Sequence, residues 1–275
     1  MTQPGFKSNL AAPAIAEGDF VTPRSPGEVL SEAVQLAARV FESAGLFDGS
    51  QPIVTIGRAQ PRTWRLRFRD VKIENAARSL ARDASTLIAS TLVANRSDGS
   101  WSTGIQRRNG DRWEWTIRIP AMNPPPAMDS REDFLWAMAL EYSRWMPPDH
   151  VLGWYGVLGN PYYAYSLENP TDDRSVLWGY GWLVFLSSDQ VSQVGGITAI
   201  RSVPVDDIVT VDNGVLVRLC RTYEAIPDRL SQWNAILSPI LRLPPRIRLA
   251  HATGVAGLDN PPIGVLRSDW SKNQS

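Results

Sequence analysis

Aromatic rings and carboxylates crowd one stretch of this chain: Trp154 and Tyr155, then Tyr162, Tyr163 and Tyr165, then Asp172 and Asp173. Rings beside acids can stack on sugars or anchor a protein partner, because Trp and Tyr dominate interface hot spots. The same rings can also pack their loop against a sheet, which is their commoner use. A second cluster is basic: Arg58, Arg62, Arg65, Arg67 and Arg69 stand close together with few acids nearby. Such a stripe can touch phosphates, or it can form a solvated sheet face paired with acids elsewhere.

Catalysis needs a nucleophile beside a base, a metal, or two carboxylates with separated pKa values. The chain has no G-x-S-x-G elbow, H-E-x-x-H, Walker loop or EF-hand. Gly179 and Gly181 in W-G-Y-G-W lack the third glycine of a dinucleotide fingerprint. His150 follows Pro147-Pro148-Asp149 and reads as a turn residue; with His251 it is one of only two histidines. Two histidines and one cysteine cannot build a zinc finger or ribbon. Cys220 ends an apolar strand and reads as a buried structural thiol, and without a second cysteine it forms no internal disulfide. No cofactor, no metal and no catalytic residue is therefore expected. The reading is of a non-enzyme.

The whole chain supports that restraint. Its 275 residues are 43% hydrophobic and 20% charged, enough to bury a real core. Twenty-eight basic residues balance twenty-eight acidic ones. A nucleic-acid binder would carry a basic excess, so none is expected as a partner. No run approaches the roughly 18 apolar residues of a membrane span, and the N-terminus, with Glu17 and Asp19, does not read as a secretory signal. The single cysteine suits a reducing compartment, and the cytoplasm is the expected location.

The elements that must position these residues follow from periodicity. Residues 1–24, with Pro4, Pro13 and Pro23, read as an irregular extension. Ser25-Pro26-Gly27-Glu28 starts a helix by a capping box, and Val29, Leu30, Ala33, Val34, Leu36, Ala37, Val40 and Phe41 give it an apolar face. Strands are expected at 52–57 and 63–69, and a helix at 74–93 from the spacing of Ala77, Leu80, Ala81, Ala84, Leu87, Ile88 and Thr91. Trp101–Arg108 and Arg112–Ile119 flank Asn109-Gly110 and predict a β-hairpin, with Trp113, Trp115, Ile117 and Ile119 on one face.

Pro124-Pro125-Pro126 makes a stiff connection, after which Asp129 or Ser130 caps a helix closed by Pro147-Pro148. Buried strands at 151–158 and 177–186, a short helix at 187–194, a hairpin around Asn213-Gly214 and a helix opened by Pro227 complete the pattern. The clustering of strands and helices predicts α+β, a mainly antiparallel sheet with flanking helices and two halves of similar order. The domain reading is one body over 25–245, with halves 25–122 and 129–245, and an irregular tail over 246–275.

The stretch Leu177-Trp178-Gly179-Tyr180-Gly181-Trp182-Leu183-Val184-Phe185-Leu186-Ser187 resembles the G-W-hydrophobic-x-aromatic-L-S core of bacterial polymorphic-toxin immunity proteins, in particular the immunity protein 52 family. The glycine-led strand Asn213–Leu219 and the final helix ending near Leu237–Leu241 continue the resemblance over about residues 150–245. The segment Ile226-Pro227-Asp228-Arg229 lacks the histidine of the relatives. The resemblance implies a protein that binds and neutralises one cognate toxin without catalysis of its own.

At period two, Trp178, Tyr180 and Trp182 share one strand face, and Gly179 and Gly181 leave the other bare. That motif reads as scaffold, which leaves the aromatic loop as the partner surface. An exposed sheet edge would permit self-association, for which no residue argues. The alternative is a carbohydrate-binding or glycan-processing protein, prompted by 11 Trp and by Glu114, Glu141 and Glu168 as candidate acids.

Overall fold

The computed structural model describes residues 14–47, 53–58, 64–67, 88–96, 99–107, 112–119, 124–146, 151–157, 175, 177, 183–221 and 226–241. The chain divides into two compact units, one of residues 15–152 and one of residues 153–275 with 1–14. The architecture is α+β with antiparallel pairing throughout the registered strands. Among the described residues no helix is long and apolar enough to cross a membrane.

The first unit contains β1 (Ala14–Val21), α1 (Pro26–Ser43), β2 (Ile53–Arg58), β3 (Trp64–Arg67), β4 (Ile88–Arg96), β5 (Gly99–Arg107), β6 (Arg112–Ile119) and α2 (Arg131–Trp145). Its strands lie in the order β3-β2-β4-β5-β6-β1. The capping box forms as the sequence requires: the Ser25 hydroxyl accepts from the Glu28 amide at 3.4 Å, and the Ser25 amide donates to the Glu28 carboxylate at 3.0 Å. The Ser25 hydroxyl also donates to that carboxylate at 2.7 Å, and this bond, helped by the one from the Ser25 amide, holds the Glu28 carboxyl below the usual carboxylate range.

At its other end α1 stops in a left-handed turn. Gly45 has φ 71°, its amide reaches the Glu42 carbonyl, and the Leu46 amide reaches that of Phe41, each at 2.9 Å. Ser130 caps α2, accepting from the Asp133 amide at 3.0 Å. Both helices pack on the face of β4–β6 that carries Leu92, Trp101, Ile105, Trp115 and Ile117, all buried. Rings knit this core: Phe41 meets Phe134 edge-on at 5.3 Å, Trp101 meets Phe134 at 5.1 Å, and Trp115 stacks on Tyr142 at 4.8 Å.

The second unit contains β7 (Val151–Val157), β8 (Leu183–Ser187), α3 (Ser188–Gln193), α4 (Gly196–Arg201), β9 (Asp207–Val211), β10 (Gly214–Arg218) and α5 (Ile226–Leu237). Its strands run β7-β8-β10-β9. Every residue of β10, and Leu183–Leu186 of β8, is buried, so both faces of this pair are covered. Ser187 caps α3 with a reciprocal bond to Gln190, whose side chain is itself buried. Gly195 and Gly196, at φ 95° and 81°, turn the chain from α3 into α4 through a conformation other residues rarely adopt. From α5 and the turn after it, Trp233, Leu237 and Ile240 are buried, and the Leu177 amide bonds the Ile240 carbonyl at 2.9 Å.

Four expectations need correction. Residues 88–93 belong to strand β4, not to a helix over 74–93; residues 74–87 lie outside the described residues. The run Ile-Ala-Ser-Thr-Leu-Val satisfies both periods, and β2 and β5 on either side supply the pairing that decides it. Residues 14–21 form β1 and are not irregular: Phe20 is buried, lying 6.5 Å from Trp113 and edge-on to Trp145 at 5.3 Å.

The division of the chain falls at residue 152 and not at the Pro-rich connection. That connection is bound into the first unit, with Pro125 buried and the Ala127 amide on the Ala44 carbonyl at 3.2 Å. Finally, the second hairpin turns at Asp212-Asn213, and Gly214 is already paired with Val211. A Cβ on Gly214 would lie 2.0 Å from the Leu186 carbonyl oxygen, so glycine is required there by close approach between strands. The 246–275 tail lies outside the described residues.

Candidate functional site

The face of β4–β6 turned away from the helices is polar because the hairpin alternates. Its rows follow from the register: Thr91 faces Gly104 and Gly104 faces Thr116; Ser102 faces Arg118; Gln106 faces Glu114. A shallow concavity of about 220 Å³ opens there, lined by Thr91, Ser102, Gly104, Gln106, Thr116 and Arg118. Gly104 has no side chain, which leaves the dip in the middle row. Hydroxyls, an amide and a guanidinium can hydrogen-bond another polypeptide's surface.

A second polar cluster binds β1's exit to both helices. The Arg24 guanidinium lies 4.8 Å over the Trp145 ring and pairs with the Glu32 carboxylate, and the Trp145 indole donates to that same carboxylate at 2.7 Å. Both bonds fall on one Glu32 oxygen and tie α1 to α2 and to the exit of β1, so the clasp reads as structure. Inside the core, the Tyr142 and Thr103 hydroxyls lie 2.9 Å apart, and the Thr103 hydroxyl also bonds the Thr116 carbonyl at 3.1 Å. Burial pushes the Tyr142 phenol up to about 12, with the Thr103 bond opposing the shift. It is neutral and locked at any ordinary pH.

In the second unit the charged feature is a cross-strand pair. Arg218, its side chain 4% exposed, donates from Nε to the Asp207 carboxylate at 2.6 Å. Register places these residues opposite each other on β10 and β9. Cys220, just beyond, is buried as its sequence setting suggests.

The sequence candidates fare unevenly. Trp154 and Tyr155 lie in β7, with the Tyr155 backbone opposite Val184. Tyr162, Tyr163, Tyr165, Asp172 and Asp173 lie outside the described residues, as do Trp178, Gly179, Tyr180, Gly181 and Trp182. Of the arginine stripe, Arg58 is in β2 and Arg65 and Arg67 in β3; Arg62 and Arg69 lie outside. His150, His251 and Glu168 lie outside as well.

Glu114 and Glu141 are not brought together. Glu114 points from β6 to the polar face, while Glu141 sits on α2, on the other side of the sheet, with Arg144 at 3.1 Å. Trp101, Trp113, Trp115 and Trp233 are fully buried, so these rings build core and no sugar platform. The polar concavity escaped the sequence reading because alternation marks a solvated face without marking a use. Gly104 between two threonine rows is the one signal that could have found it.

No family model matches the chain, and no curated protein matches it. Among solved structures, the Pseudomonas aeruginosa T6SS protein PA0821 is similar with a TM-score of 0.56 at 14% identity, over 96% of this chain and 83% of that one. At that identity the likeness concerns the fold. Over nearly its whole length, the chain has the fold of a T6SS protein.

Proposed function

We propose that this chain is an immunity protein: it binds one cognate bacterial toxin or effector and neutralises it, with no catalysis of its own. The observation that carries the reading is the fold shared with a T6SS (type VI secretion system) protein over 96% of the chain. The resemblance of Leu177–Ser187 and Asn213–Leu241 to the immunity protein 52 family points the same way, and the cytoplasm is where such a partner would be met. The polar face around Gly104 offers hydrogen-bonding groups of the kind a protein interface uses. The glycan reading is not favoured: among the described residues the fully buried Trp101, Trp113, Trp115 and Trp233 and the separated Glu114 and Glu141 give no aromatic groove with paired acids.

The experiment is co-expression with the toxin encoded beside this gene. Growth should be rescued and the toxin should co-purify; a neighbouring toxin that is neither bound nor neutralised overturns the reading. Replacing Tyr162, Tyr163 and Asp172 together should weaken that capture while the chain stays folded.

A further inference from the structure

Gly104 sits in the middle of β5 for no reason that its own backbone supplies. It is not one of the left-handed glycines, and it pairs one-to-one with Thr91 on β4 and Thr116 on β6, with no bulge in either register. A glycine inside a regular strand weakens it, and its remaining use is to let another group come close. Its neighbours Thr103 and Ile105 are buried toward the helices, so position 104 faces the other way, where the concavity of about 220 Å³ lies. The space a side chain at 104 would take is part of that concavity.

The groups around the dip are donors. The hydroxyls of Thr91, Ser102 and Thr116, the Gln106 amide and the Arg118 guanidinium line it, and among the described residues no carboxylate does. Arg118 stands opposite Ser102, is exposed, and has no ion pair among the described residues. Glu114, opposite Gln106, is already engaged within the chain.

We infer that this concavity is a socket for one acidic side chain of the partner protein, its carboxylate held by the Arg118 guanidinium and the flanking hydroxyls. A guanidinium forks onto a carboxylate with two parallel bonds, one charge against one. The Ala89 methyl and the bare Gly104 backbone leave an apolar floor for the methylenes behind that carboxylate. A phosphate suits the place less well, since it brings more than one negative charge and no apolar stem. The preference is local to the socket, because across the wider sheet Glu17 and Asp19 of β1 are offset by Arg65 and Arg67 of β3. This rests on the immunity reading and names what the toxin would present.

The test uses the full chain labelled with nitrogen-15 and three probes: acetyl-Ala-Glu-Ala-amide, its Gln counterpart and inorganic phosphate. The Glu peptide should shift the amide signals of Ser102, Gly104 and Thr116 and bind about fivefold tighter than the Gln peptide. Phosphate should bind more weakly than the Glu peptide. Gly104→Val fills the dip with a residue that suits a strand, so it should abolish these shifts while the thermal midpoint holds. Arg118→Gln, at an exposed position, should lower the Glu peptide to the level of the Gln peptide, and it serves as the second variant should Gly104→Val not fold. Equal binding of the two peptides, tighter binding of phosphate, or an undiminished response in either folded variant overturns the inference. So does a dimer by sedimentation velocity that Arg118→Gln dissolves, since a second copy would then be the occupant. The neighbouring toxin separates the claims. Arg118→Glu sets like charges together and should weaken toxin capture about a hundredfold. An Arg118→Glu chain that captures as tightly as the wild type sinks the socket and spares the immunity reading, whereas a wild type that neither captures nor protects sinks that reading.

Discussion

Trp101, Trp113, Trp115, Phe134 and Tyr142 fill the first unit's core with rings, whereas Leu183, Val184, Leu216 and Val217 give the second unit a mainly aliphatic centre. The ring-filled core sits on one face of its sheet and leaves alternate residues half in solvent. The aliphatic pair β8–β10 is enclosed on both faces and tolerates no side chain at Gly214. Large rings span the gap between helix and sheet with few contacts in exact register. Small aliphatics instead need strands at close approach, and backbone geometry with the Asp207–Arg218 pair helps to keep them there.

The contrast can be broken most forcibly at Trp115. Trp115→Ala removes a fully buried ring stacked on Tyr142 and should cost about 4–5 kcal/mol, read as a shifted denaturant midpoint with loss of near-ultraviolet circular dichroism. Gly214→Ala should cost nearly as much, about 4 kcal/mol, although it adds only a methyl. Its Cβ meets a backbone oxygen that cannot rotate away, so hydrogen exchange should speed up at β8 and β10 amides. A loss below 1 kcal/mol would show that β10 can shift and that the enclosed pair is no tighter than the open sheet.

Asp207→Ala takes the paired carboxylate away from the buried Arg218 and should cost about 3 kcal/mol. The double change Asp207→Ala with Arg218→Met should recover much of this, which sharpens the claim that the pair is held by geometry more than by attraction. The smallest effect belongs to Tyr142. Its folded pKa, about 12, lies above the ordinary 10.0, so the unfolded chain gives up that proton first. Stability from this group is intact below pH 10 and declines between pH 10 and 12, by about 2–3 kcal/mol in all. Tyr142→Phe should abolish that alkaline decline and cost about 1 kcal/mol at neutral pH.

Elements announced by chemistry within a few residues were legible: Ser25 and Glu28 for α1, Ser130 for α2, the alternation of Trp113, Trp115 and Ile117 for β6. Those decided by distant neighbours were not. Ile88–Val93 became a strand because β2 and β5 lie beside it, and β1 is fixed by the rings of Trp113 and Trp145. Asn213-Gly214 marked a turn correctly to within one residue, since glycine signals a turn and a crowded backbone equally well. The polar face was visible as alternation in the sequence, but its concavity needs β4 beside β5, which no local pattern states. The place of β9 at the end of the described strand order is invisible in sequence for the same reason: a strand does not record which strands lie beside it.

One consequence reaches back to biosynthesis. Phe20 in β1 rests against Trp113, in the strand that β1 adjoins, although β2 to β5 are made between them. While the ribosome is still translating those strands, the nascent chain must hold Phe20 and the greasy side of α1 with nothing to lay them on. At roughly 5–20 residues per second that interval lasts several seconds. A chaperone that shields emerging N-terminal segments should therefore raise the yield of this protein more than one that acts after release.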